Sequence, residues 1–372
     1  MNVMTTPNRS LPLDVLRGLT LALMIVVNMS IDNVSYAPLL HAPWNGLTPT
    51  DMVFPTFLFV VGAALSYSIG KYESRGEAAV LGKIARRTAL IFLCGYVVHW
   101  FPFFSTDAAG HFAWTPPGES RIPGVLQRIA LCYGITALVV HYGGRRAALL
   151  VGVGALFAYW WLLWTFGDYT RTGNAVLKLD LWLLGPRHLH REDGVIFDPE
   201  GVLSTLPALF NVVAGYLTGL FLRGRRSADP ATTRLLMAGV LAIAVALAWN
   251  TVLPINKRLW TSSYALCTTG IDLVVLGLLT WVIEQRRWRG WTPFFEIFGR
   301  NTLFIYILSE VGETVLGQVH IDNLDLSSWL YQTAFRSWAG AQNGALLLAL
   351  SYMLFCWCVA WLLNRRRIYF RL

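Results

Sequence analysis

The stretch LPLDVLRGLTLALMIVVNMS, residues 11–30, decides how the rest of the chain reads. Its only charges are Asp14 and Arg17, and about 20 mainly apolar residues are what a helix needs to cross a bilayer core. It carries no small-residue cleavage site, so it reads as a spanning helix and not as a removed leader. Outward from it, the same criterion finds ten candidate spans, near 11–30, 50–70, 86–104, 123–141, 147–166, 202–222, 234–253, 262–283, 293–315 and 342–363. The stretch 316–341 has the mix of polar and aromatic residues that suits an interfacial helix. Composition agrees: of 372 residues, 55% are hydrophobic and 14% charged, where an ordinary soluble domain has about 25% charged. Soluble globular, disordered, collagen-like and small disulfide-scaffold classes are thereby excluded. The five cysteines, Cys94, Cys132, Cys267, Cys356 and Cys358, lie in apolar runs without a Cys-x-x-Cys and read as small buried hydrophobes. The expected fold is all-α: a polytopic transmembrane helical bundle of about ten spans, one domain over residues 1–372 that includes the outer loop 167–201.

Net charge is +9. In a membrane protein the sidedness of basic residues sets orientation. With a cytoplasmic N-terminus, 20 Lys and Arg fall in inner segments: Arg9; Lys71, Arg75, Lys83, Arg86 and Arg87; Arg145 and Arg146; Arg223, Arg225, Arg226 and Arg234; Arg286, Arg287, Arg289 and Arg300; Arg365, Arg366, Arg367 and Arg371. Outer segments hold 8: Arg121, Arg171, Lys178, Arg187, Arg191, Lys257, Arg258 and Arg336. The charge therefore reads as a topology signal, with both termini cytoplasmic, and leaves nucleic acid without a case.

In that topology the unusual polar residues gather on the outer side. Asn28 ends the first span. His41, Trp44, Asn45 and Asp51 follow in the first outer loop. Arg121 precedes Gln127 and Arg128. Asp198 and Glu200 close the long loop, and Asn256, Lys257, Trp260 and Tyr264 surround the start of the eighth span. Arg128 lies inside a span, where a charge needs a partner; Asp51, Asp198 and Glu200 are the candidates. A histidine near its ordinary pKa serves as an acid or base near neutrality, although spacing alone favours a structural role for His41. Trp44 and Trp260 suit a sugar ring, which has both C–H and O–H surfaces. His188 and His190 supply too few ligands for zinc, and no metal is expected. Asp14 and Arg17, three apart, pair on one helix face as a snorkelling anchor. The inner Arg86, Arg87 and Arg300 are explained by orientation but are also able to meet an anionic nucleotide, and Asn301 beside them satisfies backbone groups or touches a ligand.

Five motifs occur in order: LDVLRG at 13–18, HAPWNGLT at 41–48, RIPGVLQR at 121–128, FDPEG at 197–201 and PINK at 254–257. With them the chain resembles the heparan-α-glucosaminide N-acetyltransferase family in its bacterial form, over nearly its whole length. The resemblance implies acetyl transfer across a membrane, from acetyl-CoA on the cytosolic side to an amino sugar or glycan amine on the far side. It reverses the structural reading of His41, which matches the family's active-site histidine, as general base or transient acetyl carrier. Asn28 matches its catalytic asparagine, which positions the thioester carbonyl or stabilises its oxyanion. It further implies a multi-pass protein of the bacterial inner membrane, with acetyl-CoA as co-substrate near Arg86, Arg87, Arg300 and Asn301, and is compatible with a homodimer. The lysosomal members' long lumenal N-terminal segment is expected to be missing, and their His-Glu pair is Ser309-Glu310 here. The alternative is an amino-sugar permease without acetyl transfer, which needs no catalytic base but polar groups at mid-depth in inverted repeats.

Overall fold

The computed structural model describes residues 10–31, 34–71, 76–106, 112–192, 194–224 and 231–370. Of the basic residues counted for orientation, Arg9, Arg75, Arg225, Arg226 and Arg371 lie outside these. The molecule is mostly helical. The helices are α1 (Leu11–Asn28), α2 (Val53–Ser68), α3 (Glu77–Trp100), α4 (Val125–Phe166), α5 (Ala175–Leu183), α6 (Thr205–Gly224), α7 (Ala231–Trp249), α8 (Ser262–Thr280), α9 (Thr292–Arg300), α10 (Thr302–Gln318), α11 (Leu326–Leu330), α12 (Ser337–Ala339) and α13 (Ala341–Arg365). Three antiparallel hairpins qualify the all-α expectation: β1 (Phe104–Thr106) with β2 (Phe112–Trp114), β3 (Arg191–Glu192) with β4 (Val195–Ile196), and β5 (His320–Ile321) with β6 (Leu324–Asp325).

Among the described residues, seven helices are long and apolar enough to cross a membrane: α1, α2 with its leading turn, α4, α6, α7, α8 with its tail, and α13. Three of the ten expected spans depart from that set for identifiable reasons. The first half of α3 carries Glu77, Lys83, Arg86 and Arg87, too many charges for a plain apolar window. The expected span 293–315 is two helices, α9 and α10, broken at Asn301 (φ −126°, ψ 39°). The break falls where Gly299-Arg300-Asn301 interrupts the apolar run.

The fourth and fifth expected spans are fused into the 42-residue α4, with non-helical geometry at Gly144 (φ 64°, ψ −162°). Glycine enters this region without a Cβ clash. A straight helix would separate residues 128 and 159 by about 47 Å. Yet the Arg128 guanidinium sits 4.8 Å from the Trp260 ring centre, and the Tyr159 hydroxyl donates to the adjacent Leu259 carbonyl. The chain must double back at Gly144, so α4 is a helical hairpin with two limbs of spanning length.

Close helix crossings organise the bundle. A Cβ on Gly62 of α2 would lie 1.8 Å from the Val212 carbonyl oxygen of α6, and one on Gly215 of α6 would lie 1.8 Å from that of Phe59 on α2. Gly239 and Gly270 bring α7 against α8 in the same reciprocal way. Small residues at contacts are how helices pack where no hydrophobic force separates them from lipid. Gly18 seats α1 against the Phe295 carbonyl of α9. Within the stretch 316–341, residues 326–339 form short helical pieces.

Candidate active site

The turn leading into α2 builds the first half of the site. The Asp51 carboxylate accepts from the Thr48 backbone N–H and hydroxyl, both at 3.0 Å, and from the Ala42 N–H at 3.2 Å. A capping carboxylate of this kind satisfies amides left open at a helix start. Its other oxygen faces His41 Nδ1 at 2.7 Å. Asp51 is 1% exposed and the His41 side chain 49%, so the carboxylate is fixed and the imidazole is open to a substrate. Because a carboxylate only accepts, Nδ1 donates to Asp51, and in the neutral ring Nε2 then keeps its lone pair, the arrangement of an orienting acid and a general base.

The Lys257 Nζ lies 2.9 Å from Nδ1, 3.2 Å from Nε2 and 3.5 Å from Asp51 Oδ1. Burial lowers the Lys257 ammonium below its ordinary value, against the upward pull of Asp51 and Glu200. The loop before α8 is tied to the first outer loop by the Gly46 N–H donating to the Ile255 carbonyl (2.8 Å) and the Asn256 amide donating to Asn45 (3.0 Å). Asn256 is fully buried, and its side-chain oxygen accepts from the Leu259 N–H.

A second group of charges joins the outer loops. Arg121 donates to Asp198 through two nitrogens, at 2.7 and 2.8 Å, and also to Glu200. Burial pushes the Asp198 carboxyl up, but the bidentate Arg121 outweighs it and holds Asp198 below the usual range. Glu200 acts electrostatically on Lys257 and on Glu310 of α10. Glu310 in turn accepts from the Asn28 amide at 2.8 Å. Asn28 and Glu310 are 282 positions apart, so no local pattern could reveal the pair.

Several expected ligand contacts are taken up by the scaffold instead. Arg128 pairs with none of its three candidate carboxylates; it donates to the Pro199 and Gly201 carbonyls, at 3.0 and 3.1 Å, and to Ser204, because Arg121 already holds Asp198 and Glu200. Trp260, 1% exposed, spends its face on Arg128 and its N–H on Asn211, so no sugar stacks there. The buried Tyr264 hydroxyl donates to the Asp51 carbonyl, and Gln127 is buried beside Gly95 and Gly124. Trp44 is half-buried, donates to the Tyr169 carbonyl and packs edge-on against Phe197.

Beneath these groups lies a cavity of about 390 Å³. Arg17, Arg87 and Arg300 line it together with Phe57, Tyr306 and Phe370. Arg17 also forms the expected ion pair with Asp14 (3.2 Å). Arg86 is exposed and does not line the cavity. The Asn301 side chain is engaged by the chain's own tail: its amide donates to the Ile368 carbonyl (2.9 Å) and its oxygen accepts from the Phe370 N–H (3.0 Å). Phe370 stacks on Phe304, with ring centres 4.6 Å apart, and so closes one wall.

Three helices run from this cavity to the outer groups. On α1, Arg17 lines the cavity and Asn28 lies about 16 Å further along. On α2, Phe57 lines it and Asp51 stands at the leading turn. On α10, Tyr306 lines it and Glu310 follows one turn later on the same face.

An apolar helical bundle thus carries a basic cavity and, apart from it, an acid–histidine pair. Residues 9–189 match the family model described as Heparan-alpha-glucosaminide N-acetyltransferase, catalytic. The chain is a relative of the heparan-alpha-glucosaminide N-acetyltransferases of Homo sapiens and Mus musculus. It is 28% identical to each over 365 and 367 residues, covering 82% and 83% of this chain. It spans about half the length of these curated relatives, 53% and 54%. The resemblance carried by the five motifs is thereby shown. Asn28, His41, Asp51, Arg87, Arg121 and Arg128 fall inside the matched region; Lys257, Arg300 and Glu310 fall beyond it.

Proposed function

We propose that the protein is a membrane acetyltransferase that moves the acetyl group of acetyl-CoA, bound from the inner side, to the amine of an amino sugar on the outer side of a bacterial inner membrane. The observation that carries this reading is the convergence of α1, α2 and α10: each lines the basic cavity and presents Asn28, Asp51 or Glu310 beyond it. Arg17, Arg87 and Arg300 suit the phosphates of the nucleotide, as arginine forks do, and the thioester arm extends along the cavity. Ten spans with both termini inside place the nucleotide and the acceptor on opposite faces. α3, the two limbs of α4, and α9 with α10 supply the spans beyond the plainest ones.

In the transfer step the acceptor nitrogen attacks the thioester carbonyl. A C–N bond forms, the C–S bond breaks, and the thiolate leaves to be protonated. His41, oriented by Asp51, takes the proton that the nitrogen loses. Asn28 donates an N–H to the oxygen that gains negative charge. Lys257 must move off Nε2 as the acceptor enters, and Glu200 and Trp44 stand at the acceptor's entrance.

Purified protein, acetyl-CoA and a panel of amino sugars test the reading. Free thiol is expected to appear only with an acceptor, and His41→Ala should lower the rate about 10²- to 10⁴-fold while remaining folded. Equal rates in His41→Ala would reject the mechanism. Sugar uptake into proteoliposomes without acetyl-CoA, and without thiol release in its presence, would show a permease.

A further inference from the structure

We propose that Glu310 is the positioning residue of the transfer site, holding Asn28 in the one amide orientation that leaves a polarised N–H for the substrate carbonyl. The inference rests on the reading that Asn28 works in acetyl transfer. An asparagine amide has two N–H donors on one side and an acceptor oxygen on the other, and a half-turn about its terminal bond exchanges them. Asn28 is the exposed last residue of α1, where packing does not choose between the two. Glu310 chooses. Its carboxylate has no hydrogen to give, so it accepts from Nδ2, at 2.8 Å, and a reversed amide would set oxygen against oxygen. One N–H is committed to a charge-assisted bond. The second points away from Glu310 and is strengthened by that polarisation, as suits a donor to a developing oxyanion.

The carboxylate is itself well placed for this task. It lies one turn beyond Tyr306, which lines the cavity, so it faces the path of the thioester. The backbone beside it is pinned: the Tyr352 hydroxyl of α13 donates to the Ser309 carbonyl at 2.8 Å, and the Ser309 hydroxyl donates to the Tyr306 carbonyl at 2.8 Å. An orienting group carried on a held helix turn transmits its position to Asn28 with little slack.

The test is a double-mutant cycle with acetyl-CoA and the best amino-sugar acceptor, each variant checked for a monodisperse folded protein. Glu310→Ala is expected to lower kcat about 10- to 100-fold, with KM for acetyl-CoA changed less than about twofold. Glu310→Gln, whose carbonyl still accepts from Asn28, should recover to within about fivefold of the parent protein. In an Asn28→Ala background, Glu310→Ala should change kcat by less than about twofold, since its partner is gone. If Glu310→Ala is not recovered folded, Glu310→Met supplies the same loss of an acceptor at similar size. Undiminished kcat in Glu310→Ala or Glu310→Met overturns the inference alone, as does a loss equally large in the Asn28→Ala background. A parent protein that releases no thiol with any acceptor overturns the functional reading and this inference with it.

Discussion

Asp51 shows how much one residue joins: helix start, loop conformation and imidazole orientation meet on a single buried carboxylate. Its importance was legible from its place after HAPWNGLT, but its partner was not, because hydrogen bonding between loop residues depends on how the turn closes. Arg128 illustrates the converse. A charge inside a span calls for a partner, and the sequence offered three carboxylates; Arg121, outside the span, had claimed two of them, and Arg128 turns one of its nitrogens to backbone carbonyls instead. Another buried carboxylate carries a prediction. Asp180, in the long outer loop, accepts from the Val202 N–H at 2.9 Å, and burial pushes its carboxyl up to about 7. A raised value means that the folded protein binds a proton which the unfolded chain releases near pH 4. The stability associated with that proton is whole below the unfolded value and is lost as pH rises through about 7. From pH 5 to pH 8 the melting temperature of the parent protein should therefore fall relative to that of Asp180→Asn, which keeps an acceptor and has no charge to bury. Parallel curves for the two proteins would contradict it.

At the scale of elements, most helices were visible as apolar runs, and the gap between the fourth and fifth expected spans, 142–146, contains the break at Gly144. The break at Asn301 falls at the polar Arg300-Asn301 pair, and the residues that hold its side chain, 368 and 370, lie in no local window. The crossings are equally non-local. Gly62→Ala should cost several kcal/mol or abolish folding, since its new methyl would meet the backbone of α6 at 1.8 Å, and overpacking against backbone cannot be relieved by a rotamer change. Gly82→Ala, in α3 with nothing within 4 Å of the added carbon, should be neutral or stabilise by up to about 1 kcal/mol. Thermal unfolding of both variants in detergent checks the contrast; similar behaviour would mean that the α2–α6 crossing is looser than its geometry.

Over the whole molecule, the asymmetry of basic residues predicts an orientation, and one measurement tests it. A cysteine placed at Arg187, exposed in the outer loop, should react with an impermeant maleimide applied to intact cells. One placed at Gly290, exposed between α8 and α9, should react only after permeabilisation. The reverse pattern would invert the topology and put the proposed acceptor face on the wrong side. The candidate site was partly legible at this scale too: the outer motifs converge, but the sequence could not distinguish those that face a ligand from those, such as Trp260, that hold the site together.

The cavity walls come from α1, α2, α3 and α4, early in the chain, and from α9, α10 and Phe370, late in it. Neither group encloses it alone. A molecule filling that space is therefore held only by the fully assembled chain, and by mass action its binding draws the equilibrium toward that state by RT ln(1 + [L]/Kd). Occupancy then reinforces the bundle as a unit, and if the proposed nucleotide is that molecule, its supply in the cell becomes one determinant of how long each copy of the protein survives.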